Sequence, residues 1–70
     1  MLVKAHIFAI QWQLDNGCWI TSPNATFDDW VDAEVEMDWL IENCPLLVDQ
    51  HPHRIAVIRE DGREFLFKSY

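Results

Sequence analysis

Three histidines, two cysteines and a dense set of carboxylates are the residues of this 70-residue chain that could do chemistry. His51 and His53 are one residue apart, so an extended backbone would send both side chains to the same side. Cys44, His6 or Asp49 would then be the candidates to complete a metal site. Pro52 stands between the two histidines, and neither a Cys-x-x-Cys nor a His-x-x-x-His spacing occurs. Polar loop histidines account for the pair, and no metal or other cofactor is expected. A nucleophilic Cys/His pair would need Cys18 or Cys44 beside a histidine and a third, orienting group, which nothing in the spacing requires. Gly17 and Gly62 both fall in hairpin turns, leaving no glycine-rich loop to hold a phosphate. Catalysis is therefore not expected.

What remains is negative charge. Residues 15–50 contain nine acids and no Lys or Arg, whereas Arg54, Arg59, Arg63 and Lys68 follow in the last third of the chain. The element that carries most of these acids is a helix. Ser22-Pro23-Asn24-Ala25 reads as a strand break, and Thr26 with Asp29 three residues later resembles a capping box with Asp in place of Glu. Asp28 and Asp29 would then lie in the first turn, where the helix dipole favours anions. Periodicity carries the helix to about Asn43, and Pro45 closes it. A step of about 100° per residue puts Trp30, Ala33, Met37, Leu40, Ile41 and Cys44 on one stripe, with Phe27 at its margin. Asp28, Asp29, Asp32, Glu36 and Glu42 fall on the far side, and Glu34 and Asp38 near the boundary. Like charges at i and i+4 (Asp28/Asp32, Asp32/Glu36, Glu34/Asp38) repel rather than support the helix.

Val31, Val35 and Trp39 form an i, i+4, i+8 ridge that drifts from the edge of the apolar stripe into this acidic side. A bulky aromatic ringed by carboxylates has the form of a binding anchor inside a charged rim. The competing reading has Leu46, Leu47 and Val48 fold back and cover Trp39.

The helix needs a sheet to lie on. Residues 2–14 and 18–21 flank Asp15-Asn16-Gly17, and residues 54–60 and 63–70 flank Asp61-Gly62, so two β-hairpins are expected. With two-residue loops, Leu14 would face Trp19 and Trp12 would face Thr21. Trp12, Leu14 and Trp19 would then share one face, with Gln11 and Gln13 on the other. In the second hairpin Ile58 would face Phe65, Val57 Leu66, Ala56 Phe67 and Arg59 Glu64, with apolar side chains on both faces. Residues 44–53, with two prolines, read as an irregular connection. The expected fold is a single α+β domain over residues 1–70, in which an antiparallel sheet of about four strands packs against one α-helix in the order ββαββ. Half the residues are hydrophobic and 13% aromatic, enough apolar surface for a core despite a formal net charge of −7.

Composition sets the functional expectation. The N-terminal segment has no basic region before a long apolar run and no cleavage site, and no stretch is long enough to span a membrane. Two cysteines are too few for a disulfide scaffold, so reduced thiols and a cytoplasmic setting are expected. A field of one sign on one element favours a basic protein partner and repels nucleic acid, so direct nucleic-acid binding is not expected. The short, acidic, Trp-rich profile resembles the small inhibitors with which phages and other mobile elements occupy host proteins, some of which imitate nucleic acid. Carboxylates on successive turns are about 5–6 Å apart, on the order of the charge spacing along a nucleic-acid strand. The expectation is a protein-binding inhibitor or modulator presenting Asp28, Asp32, Val35, Glu36, Trp39 and Glu42 to a basic groove. The alternative is a structural or accessory subunit that forms a homodimer or larger homo-oligomer through the C-terminal hairpin.

Overall fold

The structure is a computed structural model describing residues 6–70, so the strand expected over residues 2–5 lies outside the described residues. Four strands, β1 (His6–Gln13), β2 (Trp19–Phe27), β3 (His53–Arg59) and β4 (Glu64–Ser69), form one antiparallel sheet in the order β2-β1-β3-β4. Helix α1 (Trp30–Asn43) follows the first hairpin, and a six-residue helix α2 (Pro45–Gln50) leads into the second. The chain is thus α+β in the order ββαββ, as its patterning implies.

Both hairpins turn through three residues, not two. In the first, Leu14 N–H donates to Cys18 C=O at 2.8 Å and Gly17 N–H to Leu14 C=O at 2.9 Å; in the second, Arg59 N–H donates to Arg63 C=O and Gly62 N–H to Arg59 C=O, each at 2.9 Å. The third loop residue is the glycine in each case, with φ of 91° at Gly17 and 87° at Gly62. A two-residue loop of the favoured type would need positive φ at both positions, whereas this loop needs it once. The middle residue supplies the rest: Asn16 Oδ1 accepts from Cys18 N–H at 2.9 Å, and Asp61 Oδ1 accepts from Arg63 N–H at 3.0 Å. This side-chain clasp mimics a backbone turn.

One extra loop residue shifts the register by one and moves side chains to the other face. Gln13 pairs with Trp19 and Trp12 with Ile20, so Trp19 joins the glutamines and leaves the face of Trp12. Likewise Ile58 pairs with Glu64, Val57 with Phe65 and Ala56 with Leu66. The pairings expected from two-residue loops, Leu14 with Trp19, Trp12 with Thr21, Ile58 with Phe65, Val57 with Leu66 and Ala56 with Phe67, therefore do not form. A bulge at Phe67 restores the original alignment, Ile55 with Lys68, towards the strand's end.

The first segment does not end at Ser22. Ala9 pairs with Thr26 and Gln11 with Thr21, so Ile10 alone stands opposite Ser22, Pro23, Asn24 and Ala25. Asn24 takes φ of 58° in this bulge, one of the few non-glycine residues suited to it. The strand then resumes and buries Ala25. Thr26 is consequently a strand residue, and the helix cap is Asp29, whose Oδ1 accepts from Val31 N–H at 2.8 Å. Asp28 and Asp29 precede the helix, and Asp32 is the acid of its first turn.

α1 lies on the face formed by Phe8, Ile10, Ile55 and Ala25. Ala33 and Met37 are fully buried there, with Phe27, Leu40 and Tyr70 packed around them. The buried stripe is narrower than the periodicity suggests, since Trp30 and Ile41 are exposed. Trp30 reaches the sheet at its β4 margin, its ring centroid 6.2 Å from that of Phe67, which in turn sits edge-on to Phe8 at 5.3 Å. Cys44 N–H closes α1 on Leu40 C=O at 2.7 Å, and Pro45 opens α2, where its missing N–H costs nothing.

Candidate protein-binding surface

The outward side of α1 carries the ridge. Val31 is 44%, Val35 62% and Trp39 52% exposed. α2 does not fold over Trp39; Leu46 and Leu47 are themselves exposed. Asp32 and Glu36, one turn apart, flank the ridge on one side; Asp38 and Glu42, also one turn apart, lie along the other. Asp32, Asp38 and Glu42 are exposed and Glu36 is half-buried. The last turn of α1 contains no basic residue to meet its dipole.

Charge compensation decides how this surface presents itself. Lys68 on β4 reaches back to Glu34, Nζ to Oε2, at 3.4 Å. Among the described residues no ion pair forms with Asp32, Glu36, Asp38 or Glu42. Arg63 pairs with Asp61 in its own turn at 3.6 Å. Arg54 points to the opposite face of the sheet. Among the described residues no arginine of the C-terminal hairpin forms an ion pair with the helix. Asp28 is exposed in the link between β2 and α1, off the ridge, and has an interaction of its own. The structure thus brings Asp32, Val35, Glu36, Trp39 and Glu42 onto one outward surface, with Asp28 at its N-terminal approach.

Sequence reasoning passed over the sheet face away from the helix. Gln11 is only 2% exposed there, enclosed by the side chains that bond to it. Its Nε2 donates to Thr21 Oγ1 at 3.2 Å and to Glu64 Oε1 at 2.9 Å, and its Oε1 accepts from Arg54 Nε at 2.8 Å. The Arg54 guanidinium also stacks 4.1 Å over the Trp19 ring. This cluster ties β2, β1, β3 and β4 together. The signal for it was the register slip that moves Trp19 to the glutamine face.

His51 and His53 are spent on the fold. His51 Nδ1 lies 3.2 Å from Gln13 C=O and its ring meets Trp12 at 4.8 Å, while His53, 2% exposed, has Nδ1 2.7 Å from His51 C=O. Because a carbonyl only accepts, Nδ1 is the donor in both. Among the described residues no three His, Cys, Asp or Glu side chains are grouped to hold a metal, and no pocket opens in the described surface. Cys18 is exposed, Cys44 half-buried, and both are free thiols.

Beside the acidic surface, Tyr70 packs against the core with its hydroxyl shielded from solvent and, among the described residues, without a well-formed hydrogen bond, the Lys68 ammonium being a polar neighbour. Burial raises its pKa above the ordinary 10.0, opposed by the charge of Lys68, whose Nζ lies 5.1 Å from the ring centroid. Lys68 is raised in turn, first by the field of an ionised Tyr70 and then by Glu34.

No helix among the described residues is long and apolar enough to cross a membrane. Set against protein-family models, curated proteins and solved structures, the chain matches none of them.

Proposed function

We propose that this protein is a small acidic inhibitor or modulator of the phage or mobile-element kind, acting by binding and not by catalysis. It docks the outer face of α1 on the basic, nucleic-acid-binding surface of a partner protein. The observation that carries this reading is the exposed Val31–Val35–Trp39 ridge set between two pairs of carboxylates that no basic side chain of the described fold meets. Trp39 and Val35 supply apolar contact, and Asp32, Glu36 and Glu42, with Asp28 at the approach, supply the field that steers a cationic partner. Held at the spacing of helical turns, the carboxylates of α1 occupy the partner where phosphates would. Two free thiols accord with a cytoplasmic setting.

The test is capture of a partner from the native host, followed by titration of that partner at low and high salt and against duplex DNA. Affinity should fall as salt rises, DNA should compete, and Trp39→Ala should release the partner. Affinity unchanged by salt, or surviving charge reversal at both Asp32 and Glu36, would overturn the mechanism.

A further inference from the structure

We propose that a second copy of this chain pairs with the free edge of β4, joining two sheets into one through a two-fold axis perpendicular to them. Every residue of β4 is exposed, including Phe65, Leu66 at 61%, and Phe67. Arg59 N–H donates to Arg63 C=O, which fixes the phase of the ladder. Hydrogen-bonded pairs alternate along an antiparallel pair, so Phe65 bonds towards β3, and Glu64 and Leu66 direct their N–H and C=O groups outward. The opposite edge is closed to such pairing by the Ser22–Ala25 bulge and Pro23. One edge is thus interrupted at its middle by a four-residue bulge, while the other, bulged only at Phe67, is short, apolar and, among the described residues, open over Glu64–Leu66.

Charge selects the occupant. Residues 54–70 carry four bases against three acids, while the whole chain is at −7, so the C-terminal hairpin is where two such chains repel least. Along that hairpin the charge is also polar: residues 60–64 contain three acids and one base, and Lys68 follows. Antiparallel self-pairing about Phe65 places Leu66 of each copy against Glu64 of the other and brings Lys68 beside the other copy's acidic turn. A parallel arrangement would oppose like ends. Because the axis is perpendicular to the sheet, Phe65 meets its own counterpart on the helix-covered face, and both α1 helices stand on the same side. Two acidic ridges then face one partner, and linked sites bind more tightly than either alone.

The experiment is sedimentation equilibrium of the full chain with Leu66→Pro and Leu66→Glu. Proline is tolerated on an edge strand where its N–H would face solvent, so Leu66→Pro removes an outward donor that the single chain does not use. Leu66→Glu keeps every backbone donor and sets two carboxylates opposite each other at each end of the seam. The wild type should show twice the 8.3 kDa of one chain at sub-millimolar concentration, rising in proportion with salt, and both variants should stay at 8.3 kDa. Wild type at 8.3 kDa throughout would overturn the proposal, as would a doubled mass retained by Leu66→Glu. So would protection of the Glu64 and Leu66 amides from hydrogen exchange that appears only when a foreign extended peptide is added. Because partner binding weakens with salt and self-pairing strengthens, failure of one is read separately from failure of the other.

Discussion

Asp38→Lys should make this protein more stable, although it replaces an exposed residue outside the buried core. Asp38 stands one turn after Glu34 and one turn before Glu42 on α1, and is exposed. A like-charge pair at this spacing destabilises by roughly 0.2–0.5 kcal/mol and an opposite-charge pair stabilises by a similar amount, so each pair swings by about 0.4–1 kcal/mol on reversal. Glu34 already lies 3.4 Å from Lys68, which takes up part of its charge and keeps its pair at the low end. The sum is about 1 kcal/mol, worth about 4–8 °C in the melting midpoint of a domain this small. Melting followed by far-UV circular dichroism measures it, at low salt and again near 1 M, where the Debye length of about 3 Å should remove most of the gain. No gain at low salt, or a gain undiminished at high salt, would refute the claim that α1 carries uncompensated repulsion. If the gain appears, the exposed face of α1 holds charge at the expense of stability, as a surface set up for binding does.

Trp39→Ala should leave the melting midpoint nearly unchanged, since half of the side chain is already in water, while costing partner binding about 2 kcal/mol or more as a lost anchor, read by calorimetric titration. Met37→Ala should cost about 2–5 kcal/mol in urea unfolding, because Met37 is fully buried between Ile10, Ala33 and Ile55 and a small side chain leaves a cavity. Tyr70→Phe should raise stability by about 1 kcal/mol, because it removes a shielded hydroxyl that makes no well-formed hydrogen bond among the described residues. Tyr70 is raised above its ordinary 10.0, so its contribution is complete below that pH and is lost as pH climbs through the folded value. Alkaline unfolding monitored from pH 9 upward should therefore begin later in Tyr70→Phe than in the wild type; identical alkaline limbs would show that the phenol does not govern it.

The parts of this fold that were legible in the sequence are those where one local signal decides. Asn16-Gly17 and Asp61-Gly62 mark the two hairpins, and an alternating run on either side of each makes a strand whatever the loop's length. Loop length itself was not legible, because the same dipeptide closes a two-residue or a three-residue turn. The choice fell to the Asn16 and Asp61 side chains, each clasping an N–H two residues on. Thr26 has the spacing of a helix cap yet lies in a strand for a related reason: Pro23 and Asn24 signal a break, and only the burial of Ala25 and the packing of Phe27 beyond them carry the strand on. The candidate surface divides in the same way. That α1 is acidic follows from composition, and that Val31, Val35 and Trp39 share a face follows from the helical period. Whether those carboxylates stand alone depends on where the bases of another element arrive, which is a matter of sheet order and register. Placing β3 at the centre of the sheet, with Arg54 in register with Gln11, sends Arg54 to the far face and over Trp19, while the bulge at Phe67 leaves Lys68 on the helix side, where it meets Glu34. Two separate registers therefore decide the outcome: the three-residue loop of the first hairpin carries Trp19 to the Gln11 face, and the β1–β3 pairing carries Arg54 to that same face, away from the helix, leaving the outer carboxylates of α1 to the solvent.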